Sequence, residues 1–310
     1  SCYSFSFMKK TGFVALIGHP NVGKSTILNQ LLGQKISIVS DKPQTTRHRI
    51  LGISTDQDSQ IIFVDTPGIH QPGSRLNDRM MDTVYDALRS VDLVMQVVDV
   101  SKKQGKGEEY VVDLVKANSK PTFLVLNKID LVNKGKILPL MEFYSQQFSY
   151  GEIIPISAIE KDNLVLLREK IVENLPEGHF FYPSEHITDQ TERFIVSEII
   201  REKILHHTRQ ELPYTTAVMV EHFDESDREN GFVHVAASII VEKESQKKIV
   251  IGRAGKMIKM IGTEARLDME RFLQVRKIYL ELNVKAVLGW RDREHVLDEL
   301  GVRLGNYIKS

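Results

Sequence analysis

The chain has 310 residues, with 41 Lys+Arg balanced by 41 Asp+Glu, one Cys, and 42% hydrophobic against 26% charged residues, a profile that excludes disordered and collagen-like classes. Its length favours two domains, and zero net charge gives no global reason for polyanion binding, so a nucleic-acid role has to come from a local patch. The single Cys2 excludes an intramolecular disulfide, and with no evident secretory signal and no apolar run of about 18 residues the expectation is a reducing cytoplasm.

Residues 1–7 precede Met8-Lys9-Lys10, which reads as a natural start, so 1–7 are given no role and 1–10 are assigned to an N-terminal extension. From Phe13 to about Glu177 short apolar runs alternate with amphipathic segments. The runs are Phe13–Ile17, Ile61–Val64, Val91–Val98, Thr122–Leu126 and Ile153–Ile156, and helices are expected at Lys24–Leu32, stopped by Gly33, and at Leu76–Arg89. That rhythm predicts an α/β domain, residues 11–178, with a mostly parallel sheet and helices on both faces. Ligand chemistry in such a sheet sits at the carboxyl ends of the strands.

The pattern breaks after Pro176 into Pro, Gly, aromatic and polar residues, which assigns 179–190 to a linker. Residues 191–310 form a smaller α+β unit. Thr191 is placed to cap a helix carrying Ile195, Ile199, Ile200 and Ile204, followed by strands Thr216–Phe223 and Phe232–Val241 around an acidic hairpin loop, Asp224–Asn230. A helix from Gly255 through Leu273, a strand from Arg276 to Val287 and a last helix near Arg291–Leu304 complete it. The adjacent His206 and His207 read as solvated residues on a helix surface rather than metal ligands.

Gly18-His19-Pro20-Asn21-Val22-Gly23-Lys24-Ser25 fits G-x-x-x-x-G-K-[ST] directly after an apolar strand and before a helix. Its glycines let backbone N–H groups of residues such as Asn21, Val22 and Gly23 curl around phosphate oxygens, and the helix that follows, with Thr26 in its first turn, points its positive end at them. Lys24 is expected on the β- and γ-phosphates, with Ser25 and Asp65 holding Mg²⁺. Asp65-Thr66-Pro67-Gly68 ends the next strand and offers a Gly N–H to the γ-phosphate. Thr45 and Thr46 lie in a polar loop, and one of them, with Thr46 favoured, is expected to reach the metal only when the γ-phosphate is present; such a contact is the basis of a switch.

The choice of base rests on Asn127-Lys128-Ile129-Asp130, supported by Ser157-Ala158 after the following strand. A carboxylate at Asp130 accepts two hydrogen bonds from guanine N1–H and the N2 amino group, a pattern adenine lacks. These motifs, in this order, resemble the translation-factor-like branch of P-loop GTPases, a match covering Phe13 to about Leu175. Ras-type members carry a water-orienting Gln after the Asp-x-x-Gly, but Ile69 stands there, so the resemblance implies slow intrinsic hydrolysis that relies on another water-positioning group, backbone geometry or a partner in trans. Asn21 matches the position at which potassium-stimulated relatives help hold K⁺.

In the second unit, Lys247-Lys248-Ile249-Val250-Ile251-Gly252-Arg253-Ala254-Gly255-Lys256 contains a G-x-x-G turn entering a helix. Ile258, Ile261, Ala265, Met269 and Phe272 form that helix's buried stripe, while Lys256, Lys259 and Arg266 project elsewhere. Residues 247–277 hold nine basic and three acidic side chains, a local excess of +6 on a chain whose total is zero. Glycines that allow close backbone approach beside such an excess are how a KH domain clamps single-stranded nucleotides, and Ile251 is a candidate for the groove beside the loop.

A P-loop GTPase followed by this KH unit, with Phe181-Tyr182-Pro183 and Ile187-Thr188-Asp189 in the linker and Ser197-Glu198-Ile199-Ile200-Arg201-Glu202-Lys203 in the next helix, resembles the Era family from about residue 11 to 305. His19 departs from the Arg common there. The resemblance implies a six-stranded, mostly parallel sheet followed by a type II KH domain. It also implies a monomeric GTPase, dependent on GTP, GDP and Mg²⁺, that binds the 3′ end of small-subunit ribosomal RNA and assists maturation of the small ribosomal subunit. Peripheral association with the inner face of the cell membrane belongs to the same implication. Intact Lys24, Ser25, Asp65 and Asp130 argue against a scaffold in which the GTPase fold is only structural.

Overall fold

Strands β1 (Lys9–Ile17), β3 (Ser59–Asp65), β4 (Leu93–Asp99) and β5 (Thr122–Asn127) are the apolar runs of the sequence, and every residue of β3, β4 and β5 is buried. Continuous burial follows from cover on both faces. The structure is a computed structural model and describes residues 9–302 apart from 43, 70–73, 210 and 211. The remaining elements of the first unit are β2 (Ile50–Thr55), β6 (Glu152–Pro155), β7 (Glu177–Gly178) and helices α1 (Lys24–Leu32), α2 (Arg75–Ser90), α3 (Lys106–Lys116), α4 (Ile137–Gln147) and α5 (Leu164–Asn174).

The sheet runs β2-β3-β1-β4-β5-β6; β2 is antiparallel to β3, and two-residue β7 pairs with the start of β1. Alternation along β1 splits the core into two layers: Val14 and Leu16 pack with Ile27, Leu28 and Leu167, while Ala15 and Ile17 pack with Val84, Val111 and Val115 on the other face. Since β1 lies between β3 and β4, its carboxyl end is the topological switch point, where the sheet opens a crevice for a ligand. β1 starts at Lys9, two residues inside the expected extension, and Lys10 Nζ donates to Leu175 O at 3.0 Å. Residues 1–7 and Met8 lie outside the described residues.

The linker is laid on the sheet edge. Ile53 N donates to Ile187 O at 2.9 Å, Gly52 bridges Thr188, and Leu51 N donates to Asp189 Oδ1 at 3.1 Å. Those bonds satisfy groups that β2 would otherwise expose along its outer edge.

The second unit follows the order α6 (Glu192–His207), β8 (Ala217–Asp224), β9 (Phe232–Val241), α7 (Glu244–Ile251), α8 (Lys256–Leu273), β10 (Lys277–Ala286) and α9 (Glu294–Glu299). Strand order is β10-β9-β8, with β10 parallel and β8 antiparallel to β9. Thr191 caps α6, its hydroxyl accepting from Phe194 N. α8 buries Ile261, Ala265, Met269 and Leu273, with Ile258 and Phe272 half-buried against the same core.

Two expectations change. α6, expected at the surface, buries Glu198, Arg201, Glu202 and Lys203 together with the isoleucines. The helix lies between its own sheet and residues 35–46 of the first unit. His206 is exposed and His207 half-buried, as expected of a helix surface, and each also has a partner: His206 Nε2 is 3.0 Å from Val39 O and His207 Nε2 is 2.8 Å from Glu264 Oε2. The last helix is also shorter than Arg291–Leu304. Gly301 adopts φ +75°, and Val302 N turns back to Leu297 O at 2.9 Å, closing the helix with a left-handed cap; Leu304 lies outside the described residues. Val302, Leu297, Val296 and Trp290 bury Leu76 and Met80 of α2 in a cluster shared by the two units.

Candidate nucleotide and RNA sites

Gly23 stands at φ +102°, and a Cβ there would lie 2.2 Å from Asn127 Nδ2, so only glycine closes the loop onto the end of β5. Lys24 is buried, its Nζ donating to Gly18 O and His19 O at 3.1 and 3.2 Å. Burial pushes its ammonium down to about 8, against the pull of Asp65 and Glu108.

Three hydroxyls and one carboxylate converge beside it. Ser25 Oγ donates to Asp65 Oδ2 at 2.7 Å, Ser37 Oγ donates to the same oxygen at 2.8 Å, and Thr46 Oγ1 is 3.0 Å from Ser25 Oγ. Asp65 is fully buried and its Oδ1 has no partner; burial raises the carboxyl above its usual range despite Lys24. A buried carboxylate with one oxygen held by two hydroxyls and the other left without a partner fits a hard divalent cation such as Mg²⁺. Of the two candidate threonines, Thr46 faces this cage; Thr45 Oγ1 donates to Lys42 O at 2.5 Å. Ser37 went unrecognised because nothing in the stretch 34–40 marks one serine over another.

Gly68 lies against the phosphate loop, where a Cβ would be 2.8 Å from Pro20. Ile69 N donates to Gly18 O at 3.1 Å and its side chain is buried, so no polar group at that position orients a water. Thr66 Oγ1 donates to Leu16 O at 2.7 Å, tying the start of the Asp65–Gly68 turn to the end of β1.

The guanine motif is stitched to the phosphate loop. Asn127 Nδ2 donates to Val22 O at 2.8 Å and its Oδ1 accepts from Ala158 N at 3.1 Å. Lys128 Nζ donates to Asn21 O at 2.8 Å and pairs with Asp99 Oδ2 at 2.7 Å. Asp99 was readable as a carboxylate at a strand's carboxyl end, and its service to Lys128 was not. Asp130 is exposed, with Oδ1 accepting from Ser157 Oγ at 2.6 Å.

Glu108, in the first turn of α3, has an unpartnered buried Oε2, and burial pushes its carboxyl from 4.5 up to about 7. The folded state therefore holds this proton more tightly than the unfolded chain, and stability drains away as pH rises from 4.5 to about 7. Glu108→Gln is expected to raise the thermal midpoint at pH 8 and leave it nearly unchanged at pH 4.5; equal shifts at both pH values would rule out the buried charge as the cause.

At the other site, Gly252 (φ +75°), Arg253, Ala254 (φ +51°) and Gly255 (φ +72°) form the turn between α7 and α8. A Cβ on Gly252 would sit 2.5 Å from Met257 Cβ, whereas Gly255 faces open space. Within the basic excess, Arg266 pairs with Glu270 and Arg271 with Asp268. Lys247, Lys248, Arg253, Lys256 and Lys259 form no ion pair among the described residues, and all but Lys247 are exposed. Ile251 is half-buried against the core, while Ile249 is 54% exposed beside the turn.

A phosphate loop at a switch point, a metal-shaped oxygen cage and an N-K-x-D motif bonded to that loop define a P-loop GTPase, here followed by a KH domain. The family model for a 50S ribosome-binding GTPase matches residues 13–128, and that for a KH domain matches 211–291. The chain is 38% identical to Era in a crystal structure with MgGDPNP and nucleotides 1506–1542 of 16S ribosomal RNA, at a TM-score of 0.92 over 96% of this chain and 100% of that one. A variant of Aquifex aeolicus Era bound to GDP·AlF4⁻ is also 38% identical, with a TM-score of 0.91 over 95% of this chain and all of its own. The chain belongs to the Era family of GTPases.

Proposed function

We propose that the protein is a Mg²⁺-dependent GTP-hydrolysing switch that binds the 3′ end of small-subunit ribosomal RNA through its KH domain and assists small-subunit maturation. The oxygen cage around Asp65 carries the enzymatic half, because a merely structural domain has no use for a buried, unpartnered carboxylate oxygen. The RNA half is supported by the unpaired cations at the G-x-x-G turn and by the Era relative's contact with 16S ribosomal RNA.

In this reading Lys24 exchanges its loop carbonyls for β- and γ-phosphate oxygens, the loop N–H groups hold the phosphates, and Gly68 N–H meets the γ-phosphate. Ser25, Thr46 and Asp65 hold Mg²⁺, directly or through its waters, with Ser37 fixing Asp65. The ion neutralises charge developing between the β- and γ-phosphates. Asp130 reads the base, with Ser157 and Ala158 closing round it. Asn21 Nδ2 donates to Asp41 O at 2.6 Å, so its Oδ1 is the atom left to face a K⁺ ion. With Ile69 buried, water positioning falls to the backbone or to a bound partner, and intrinsic turnover is slow.

The protein acts as a monomer in the cytoplasm, where its RNA is assembled. Membrane contact in this reading is peripheral, and among the described residues no helix is long and apolar enough to cross a bilayer. Crosslinking and sequencing of bound RNA with a GTP analogue and then with GDP is expected to recover the 3′ end of small-subunit RNA, more strongly with the analogue. Recovery that ignores the nucleotide would reduce the protein to an RNA binder with an idle GTPase fold.

A further inference from the structure

Thr46 is bracketed by bonds to the KH domain. On its N-terminal side, the Arg201 guanidinium of α6 donates to Thr45 O, and its other nitrogen donates to Gln44 O at 3.3 Å. On its C-terminal side, the Arg47 guanidinium reaches into the KH domain and donates to Thr216 O at 2.7 Å and to Pro213 O and Tyr214 O at 3.2 Å. Both arginines are 3% exposed. Arg201 is held by buried Glu198 through bonds of 2.7 and 2.8 Å, and Arg47 lies 5.6 Å from the Trp290 ring centroid. Further along the same loop, Glu202 accepts from Val39 N at 2.9 Å and pairs with Lys35 at 2.5 Å. Arg201 and Arg47 reach the oxygen cage through Thr46, whereas Glu202 grips the stretch that carries Ser37.

The arrangement has a chemical logic. A buried guanidinium that donates to main-chain carbonyls costs desolvation, and among the described residues Arg47 donates to carbonyls and lies by the indole face, with no hydrogen bond to an acidic side chain. Together the bonds of Arg201 and Arg47 fix the backbone on either side of one hydroxyl, and so fix the hydroxyl's distance from Ser25. Simple adhesion between domains is already supplied elsewhere, by the apolar cluster of Leu76, Met80, Trp290 and Leu297 and by Arg79 on Glu294 and Asp298.

We infer that Arg201, held by Glu198, is a positioning residue through which the KH domain sets Thr46 in the metal site and thereby raises affinity for GTP over GDP. The inference rests on Thr46 being the switch ligand, as proposed above. A KH domain seated with α6 on the loop favours the triphosphate; by reciprocity, the triphosphate favours that seating.

The test uses the full chain with E198Q/R201Q, which removes both members of the buried pair and strands no carboxylate. Equilibrium binding of a fluorescent non-hydrolysable GTP analogue and of GDP, both with Mg²⁺, is measured for this variant, for T46A and for the triple variant. The pair is expected to weaken analogue binding at least about fivefold while GDP affinity stays within about twofold, the scale of ordinary site–site coupling. Added to T46A, the same pair is expected to cost less than about twofold, since its route to the metal is already gone. A full fivefold penalty in both backgrounds, or equal weakening of GDP, overturns the inference, because a merely structural role would act independently of Thr46. Unchanged analogue binding in the pair alongside weakened binding in T46A overturns it alone; unchanged binding in T46A overturns it together with the reading of Thr46. If the pair variant lacks a cooperative thermal transition, E198L/R201M replaces the ion pair with apolar volume for the same measurements.

Discussion

Asp130→Asn is expected to lower affinity for GTP by about two to three orders of magnitude and to create measurable affinity for xanthosine triphosphate. Asp130 is exposed and its Oδ1 accepts from Ser157 Oγ, which in the proposed reading leaves its outer edge for the base. A carboxylate accepts from guanine N1–H and the N2 amino group together. The asparagine amide turns one acceptor into a donor, which opposes the amino group of guanine and matches the carbonyl that xanthine carries there. Asn127 and Lys128 are already committed to Val22, Ala158, Asn21 and Asp99, so the substitution leaves the phosphate loop braced and the loss falls on base recognition. Competition of the two nucleotides against labelled GDP measures it. GTP affinity unchanged in the variant would remove Asp130 from the base site.

The second large effect is expected at the G-x-x-G turn, and the structure decides which residues to change. Aspartate at Gly252 would drive its Cβ into Met257 and confound RNA binding with misfolding. Arg253 and Ala254 are exposed, and Ala254 already occupies the left-handed region that Asp tolerates. Arg253→Asp with Ala254→Asp reverses the local field beside Lys248, Lys256 and Lys259 while leaving both glycines in place. RNA affinity is expected to fall by at least about two orders of magnitude at low salt, with a shallower salt dependence because fewer phosphates are neutralised. Basal GTP hydrolysis is expected to be unchanged, since among the described residues the turn makes no hydrogen bond or ion pair to the first unit. Wild-type RNA affinity in this variant would exclude the turn as the RNA clamp.

Much of the fold was legible because burial on both faces writes itself into sequence: β3, β4 and β5 read as unbroken apolar runs, and α1 ended at Gly33 as expected. The phosphate loop, the guanine motif and the G-x-x-G turn were legible because each needs particular residue types at fixed spacing. What stayed hidden is tertiary. Ser37 joins Asp65 only after the loop folds back, and Glu198, Arg201 and Lys203 have the pattern of a solvated helix face that a second domain happens to cover. His206 and His207 do lie at the helix surface, and only their partners, Val39 O and Glu264, were beyond the sequence. A single chain's periodicity reports that a face is polar, not what lies on it.

The linker's pairing with β2 has a mechanical consequence. Ile187–Asp189 is fastened to the sheet edge immediately before Thr191 caps α6, so the start of that helix is a fulcrum anchored to the GTPase domain. Arg201 stands ten residues along the arm, roughly 15 Å from the fulcrum at about 1.5 Å per residue. A tilt of about 10° therefore sweeps it some 2.5 Å, roughly the difference between a hydrogen bond and none. The helix is a short, stiff lever whose gearing turns a small change in the seat of the RNA-binding domain into the making or breaking of a single contact beside Thr46.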